Sequence, residues 1–416
     1  MTAAPRSPLM PLDEALARLL AQAAPVLDAE RVPTMEADGR VLAQDLVSAL
    51  TVPPRDNSAM DGYAVRAADC AALGTVLPVT QRIPAGSVGQ PLTPGSAARI
   101  FTGAPIPEGA DAVVIQEDTE ALDGGTRVRI DAPPASGQWV RPAGEDIERG
   151  AVVLRKGELL APAGIGLAAG IGLNELAVSR RPRVALMSTG DELVMPGAVA
   201  PEQMPPGAIY NSNRYFLSAL LRRAGCVVTD LGAVPDRREV TLQALQAAAR
   251  DHDLVLTSGG VSVGEEDHVK PAALQLGALD LWQIAMKPGK PFAYGHLRQG
   301  GGGQAHFIGL PGNPVSSFVT FLMLVRPFIL RRMGVEDCLP HSIRLPAGFD
   351  WPRPDRRREF LRARVGEAGQ VELFPNQGPG VLSSTVWAAG LVDNPAGHAI
   401  AQGEPVSFIP YSELLS

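Results

Sequence analysis

The chain has 416 residues, a formal net charge of −7 and only 5% aromatic residues, so it offers neither the basic face nor the stacking platform that a nucleic-acid partner needs. Its three cysteines, Cys70, Cys226 and Cys338, form no CxxC pair; this excludes a cysteine zinc cluster and a disulfide framework and fits a reducing, cytoplasmic setting. The N-terminus lacks a signal-peptide hydrophobic region, and the longest apolar run, residues 318–325, is broken by Arg326-Pro327, so no membrane span is expected.

In chain order, residues 11–24 read as an amphipathic helix. Leu12, Ala15, Leu16, Leu19 and Leu20 fall on one face, and Asp13 and Glu14 sit in the first turn. From residue 31 to 148 short apolar runs alternate with turn residues, predicting a β-rich domain. Residues 149–181 return to helix-compatible sequence, with Pro162 as an opener. They are expected to pack on the N-terminal helix, joining residues 1–30 and 149–181 into a discontinuous helical or mixed domain.

From residue 182 to 333 strands and helices alternate. Val184-Ala185-Leu186-Met187, Cys226-Val227-Val228, Leu254-Val255-Leu256-Thr257 and Trp282-Gln283-Ile284-Ala285-Met286 read as strands. Asn211 is placed to cap a helix with a Phe216, Leu217, Leu220, Leu221 stripe, closed by Gly225. Asn313-Pro314 opens a long apolar helix reaching about Met333. This order predicts a doubly wound, largely parallel sheet covered on both faces. Residues 334–416 read as a C-terminal β-barrel-like domain. The expected fold class is therefore multidomain α/β plus β.

The chemistry gathers where the α/β strands end. Thr257-Ser258-Gly259-Gly260 breaks a buried strand with a turn able to expose bare N–H groups, and Glu265, Glu266 and Asp267 follow. Such a loop suits phosphate with a hard cation beyond it; it equally suits a tight strand-to-helix turn with a solvated acidic helix start. Glu192, Asp236, the Lys287-Pro288-Gly289-Lys290-Pro291 run and the Leu310-Pro311-Gly312-Asn313-Pro314 run follow other strands. Ligands bind beyond the carboxyl ends of such strands, so one mouth is expected to collect amides, lysines and carboxylates. That inventory suits a phosphorylated ligand with a divalent metal. Outside this domain, Asp61 and Asp146 also read as turn-holding residues.

These motifs resemble the molybdopterin molybdenumtransferase family, the MoeA-type proteins to which the gephyrin E domain also belongs. The resemblance rests on Ser58-Ala59-Met60-Asp61-Gly62-Tyr63-Ala64, Phe101-Thr102-Gly103-Ala104-Pro105, Gly144-Glu145-Asp146, Ser188-Thr189-Gly190-Asp191-Glu192, Asn211-Ser212-Asn213, and the three loops after residues 257, 286 and 309. It implies that the central domain is of the molybdopterin-binding type. It implies insertion of molybdate into adenylylated molybdopterin with release of AMP, aided by Mg²⁺. Asp61, Thr102, Glu192, Asp267, Lys287 and Lys290 would then be catalytic, and Asp61, Asp146, Glu192, Asp236 and Asp267 would surround the metal. Arg141, Ser258, Gly259, Gly260, Ser262, Pro311, Asn313, Arg358 and Ser383 would meet the substrate. The match is thinnest at the C-terminus, where Pro379 stands in place of a small Ser.

The implied assembly is a homodimer, with Asp61 and Thr102 of one subunit completing the α/β cleft of the other. A molybdopterin adenylyltransferase and other cofactor-assembly proteins are the implied partners. A non-catalytic pterin-binding scaffold and an adenylyltransferase are the alternative readings.

Overall fold

The computed structural model describes residues 9–24, 27–260 and 268–415. Its centre is a six-stranded sheet in the order Val227–Val234, Arg183–Thr189, Leu254–Ser258, Gln304–Leu310, Pro291–Arg298, Gly277–Gln283. The first four strands are parallel and the last two antiparallel. Both faces are covered, and the side chains show it. Val184, Leu186, Leu254, Leu256 and Ile308 join one buried cluster, while Ala185, Met187, Val255 and Phe307 join another. That two-residue alternation of apolar groups onto opposite faces is what a strand buried on both sides requires.

Helix Ser212–Arg223 is capped by Asn211, whose side-chain oxygen accepts the Arg214 N–H at 3.2 Å. It packs on the first face through Leu217, Leu220 and Leu221 and stops before Gly225, at φ 83°. The apolar helix after Asn313 runs over Pro314–Thr320, a wider π turn at Phe321–Val325, and Arg326–Arg332. The wide turn ends where Pro327, which has no N–H, enters the helix. This helix is long and apolar enough to cross a membrane, yet most of it is buried in the core.

The Trp282 to Met286 strand expectation is corrected. Gly277–Gln283 is an antiparallel edge strand, and Met286–Lys287 is a separate short strand that pairs with Arg358–Val365 of the C-terminal domain.

The discontinuous domain is also composed differently from expectation. Helix Leu12–Ala21 buries Leu12, Ala15 and Leu19 in the α/β core, not against residues 149–181. The segment Pro162–Gly170 instead shares a core with Ala37, Leu42, Leu46, Leu176 and Val178. Strand Ala29–Pro33 pairs with Glu175–Ser179. The apolar face of the first helix dictates that something cover it, but not what.

From this small domain a two-stranded ribbon leads outward. Leu46–Val47 pairs with Val152–Leu154, Ser48 exchanges backbone hydrogen bonds with Gly150 and Ala151, and Val52 pairs with Ile147. The ribbon carries the β-rich domain, a six-stranded sheet ordered Ala112–Ile115, Gly62–Val65, Ala97–Ile100, Thr75–Ile83, Arg127–Ile130, Thr119–Leu122. In the C-terminal domain, Arg358–Val365, Gly390–Asn394, Pro405–Pro410 and Ile343–Pro346 pair in sequence, and an Ala347–Val371 bridge with Val371–Leu373 returns to the first of them.

At the end of the central sheet opposite its functional loops, Asp253 accepts two hydrogen bonds from Arg180, at 2.7 and 2.6 Å, and the Arg183 N–H at 2.8 Å. Burial pushes the Asp253 carboxyl up, but Arg180 and the Arg183 amide outweigh it and hold the pKa below the usual range. A depressed carboxylate pKa contributes stability that is complete above the unfolded value, about 3.9, and is lost as pH falls through the folded value. Asp253→Asn is expected to cost about 2–3 kcal/mol at neutral pH, because Arg180 loses its partner. Urea denaturation should show that difference from wild type at pH 7 and its shrinkage below about pH 4.

Candidate active site

The parallel strands deliver their loops to one edge. Ser188 lies beside Ser258, and Ser258 beside Leu310, so the three following loops start in line. They frame a cleft of about 810 Å³ lined by Thr189, Gly190, Glu192, Asn211, Ser212, Asn213, Asp236, Ser258, Gly259, Gly260, Pro311, Gly312 and Asn313, among others. That size suits a nucleotide- or cofactor-sized ligand.

The turn after Leu254–Ser258 needs its glycines. Gly259 and Gly260 have φ 87° and 67°, and a Cβ would lie 2.9 Å from the Thr189 carbonyl oxygen at the first and 2.5 Å from Val269 Cγ2 at the second. Among the described residues only one of the two N–H groups lacks an acceptor. Gly259 donates to the Leu310 carbonyl at 3.1 Å, whereas Gly260 N–H has no acceptor among the described residues. Ser262 and Asp267, both expected here, lie outside the described residues.

Asn213 ties the edge together. Its amide donates at 2.7 Å to Ser258 Oγ and at 2.7 Å to the Gly312 carbonyl, bracing two neighbouring loops. This role was not legible from the motif, which reads only as a helix cap. Asn313, in contrast, occupies the N-cap position but makes no side-chain capping bond, and it stands exposed in the cleft. Helices Ser212–Arg223 and Pro314–Thr320 both begin at this cleft, where the positive ends of their dipoles favour anions, although the Arg214 and Val315 N–H groups already have acceptors.

Glu192 and Asp236 supply negative charge to the same cleft. Burial raises the Asp236 pKa; His268 draws it down, while Asp191 and Glu192 push it up. A carboxylate crowded by others is one that a cation would relieve. Among the described residues no three His, Cys, Asp or Glu groups stand close enough to hold a metal. Mg²⁺, however, is commonly held by one or two carboxylates with substrate phosphates and water, and Glu192 with Asp236 fits that lesser demand.

Asp61, Thr102, Arg141 and Asp146 do not line this cleft. The five-carboxylate metal set is therefore not assembled within one chain. These four residues lie on converging loops of the β-rich domain. Ser58 accepts the Gly103 N–H and donates its own N–H to Ala104, Asn57 pairs with Arg141, and Asp146 N–H reaches the Val52 carbonyl. Asp61 Oδ1 accepts the Thr102 N–H at 2.8 Å and its hydroxyl at 2.7 Å. Those two bonds, with a smaller contribution from the Arg99 charge, hold the Asp61 pKa below the usual carboxylate range. Oδ2 remains without a partner among the described residues. Arg141, Asp146 and Thr102 are exposed.

Lys287 does not line the cleft and is engaged within the chain. Its ammonium lies 3.1 Å from Glu359 Oε1 and 3.5 Å from Asp355 Oδ2. The Glu359 side chain is wholly buried, also accepting from Trp351 and the Asp355 N–H. A buried carboxylate demands a countercharge, and strand pairing of Lys287 with Glu359 supplies it. Lys290 is different: it is exposed beside Pro291, which lines the cleft, and has no ion-pair partner among the described residues.

Arg358 is likewise engaged within the chain. It holds Asp393 with two bonds, at 2.7 and 2.6 Å, and Asp13 at 2.8 Å, and it is absent from the cleft lining. The C-terminal domain reaches the cleft through Gly380 and Leu382 instead. Pro379 accepts the Val315 N–H, and buried Arg362 bonds Ser384 and the Phe360 and Gly378 carbonyls. Ser383 follows Leu382 and is exposed.

Three family descriptions match the chain in succession: the MoeA N-terminal region (domain I and II) over residues 10–172, a probable molybdopterin binding domain over residues 185–331, and the MoeA C-terminal region (domain IV) over residues 344–411. A molybdopterin molybdenumtransferase of Haemophilus influenzae is 39% identical over 98% of this chain and 100% of its own length. Molybdopterin molybdenumtransferase 2 of Mycobacterium tuberculosis is 40% identical over 88% of this chain and 90% of its own. The crystal structure of a molybdopterin biosynthesis moeA protein from Pyrococcus horikoshii superposes with TM-score 0.82 at 29% identity, covering 97% of this chain and all of that one. With its central cleft, its ribbon-borne β domain and its C-terminal loop each inside a matched region, the chain belongs to the MoeA-type molybdopterin molybdenumtransferase family.

Proposed function

We propose that this chain builds molybdenum cofactor by inserting molybdate into adenylylated molybdopterin, with Mg²⁺ assistance and release of AMP. The observation that carries the reading is the cleft beyond the strand ends, whose lining combines Gly260, with an N–H that has no acceptor among the described residues, two helix starts and the Glu192 and Asp236 carboxylates. Amides and helix starts suit the phosphates of the adenylate. Glu192 and Asp236 would hold the cation, which supplies charge neutralisation when bound. Lys290, exposed and unpaired among the described residues, is the group placed to meet the molybdate oxyanion, in place of Lys287.

Asp61 and Thr102 enter this reading from a second protomer. They present a carboxylate oxygen and a hydroxyl on a domain remote in sequence from the cleft, and a C2 dimer sets the same two surfaces together twice. A molybdopterin adenylyltransferase supplies the adenylylated substrate in this scheme.

Purified chain incubated with adenylylated molybdopterin is expected to release AMP only when molybdate and Mg²⁺ are both present; AMP release independent of molybdate, or none at all, would overturn the reading. Asp236→Asn should lower that rate at least about tenfold, with partial recovery at higher Mg²⁺. Mixing Asp61→Asn chains with Asp236→Asn chains, each strongly slowed alone, should after subunit exchange raise activity to roughly a quarter of wild type by random pairing. No recovery in verified mixed dimers counts against the shared cleft.

A further inference from the structure

Arg99 is engaged on four sides around the peptide that carries Asp61. Its Nη1 donates to the Gly62 carbonyl at 2.9 Å, and its Nη2 donates to Gln116 Oε1 at 2.9 Å. Gln116 in turn gives its backbone N–H to the Asp61 carbonyl at 3.0 Å. The circuit is closed: Asp61 and Gly62 are both gripped by carbonyl hydrogen bonds, and the two donors are bonded to each other. The same guanidinium lies 5.1 Å from the centre of the Tyr63 ring and 4.8 Å from that of Phe101. Tyr63 follows Gly62, and Phe101 precedes Thr102, the residue that donates twice to Asp61. Strand pairing sets this up, because Arg99 sits directly opposite Tyr63 and Gly62 opposite Ile100.

The peptide has no slack on its other side. A Cβ on Gly62 would lie 2.0 Å from the Val114 carbonyl oxygen, so the neighbouring strand presses against the backbone just after Asp61. A planar, five-donor guanidinium can hold two carbonyl-type acceptors in one plane while its faces meet rings; a lysine ammonium cannot.

We infer that Arg99, with Gln116 as its relay, is a positioning residue for the Asp61–Thr102 pair. It fixes where Asp61 Oδ2 and the Thr102 hydroxyl stand, without touching substrate. This rests on the reading above that Asp61 and Thr102 belong to the active site. Arg82 provides the internal comparison. It also lies over Phe101, at 4.5 Å, but its guanidinium makes no hydrogen bond among the described residues.

The test uses the full chain in the molybdate-dependent AMP assay, with Arg99→Gln, Arg99→Lys, Asp61→Asn, Arg82→Gln and the Asp61→Asn/Arg99→Gln double variant. Misplacing a reacting group by about 1 Å costs about 100-fold. Arg99→Gln is expected to lower kcat by that order with little change in KM, and Arg82→Gln to leave both near wild type. The double variant should be no slower than Asp61→Asn alone, since Arg99 acts through Asp61. If Arg99→Gln does not fold, Arg99→Lys keeps the charge and stem and is expected to be folded and similarly slow. Full activity in Arg99→Gln or Arg99→Lys, or losses that multiply in the double variant, would overturn the inference while leaving Asp61 in the site. Near wild-type activity in Asp61→Asn would instead overturn the reading on which it rests.

Discussion

The register of three neighbouring parallel strands is the constraint from which the site follows. Met187 and Ser188 lie beside Thr257 and Ser258, which lie beside Gly309 and Leu310. Parallel pairing makes all three chains leave the sheet on the same edge, so their loops meet without any long-range search. A slip of one residue would turn each strand's buried side chains to the opposite face, and here both faces are lined by different clusters. The Asp253 carboxylate anchors the far ends of two of these strands, bonding the Arg183 N–H while its own N–H meets the Arg183 carbonyl. Asn213 then braces the near ends. The cleft is therefore held from below by an ion pair and from above by an amide.

The C-terminal domain joins this frame through a two-residue strand, Met286–Lys287, at the margin of the central domain. Lys287 neutralises a buried Glu359 there, so its charge serves the domain junction. The same junction brings the Gly380 and Leu382 loop over the start of helix Pro314–Thr320. One lysine position thus separates two jobs that its Lys-Pro-Gly-Lys-Pro run would seem to share: the first lysine cements, and the second faces solvent beside the cleft.

Much of this is legible in the sequence. Strand ends, the Gly259-Gly260 turn and the Asn211 cap depend on chemistry within a few residues, and the order of strands and helices implies that loops at one edge converge. Glu192, Asp236, Gly260, Pro311 and Asn313 are accordingly found together. What is not legible depends on distant pairing. Glu359 lies 72 residues from Lys287, and nothing near Lys287 announces a buried carboxylate. Likewise an amphipathic stripe on Leu12–Ala21 demands cover without naming its partner, which proves to be the α/β core. Asp61 and Thr102 stand on a separate domain, and their distance from the cleft within one chain could only be seen in three dimensions.

The ribbon from residues 46–52 to 147–154 has an evolutionary meaning. The chain departs for the β-rich unit and comes home along adjacent strands, whose backbones are about 5 Å apart. Excising everything between would leave ends that a tight turn can bridge, with no rethreading of what remains. Such a geometry would let a single insertion at one point in the chain add or remove the unit, independently of the central sheet that it serves.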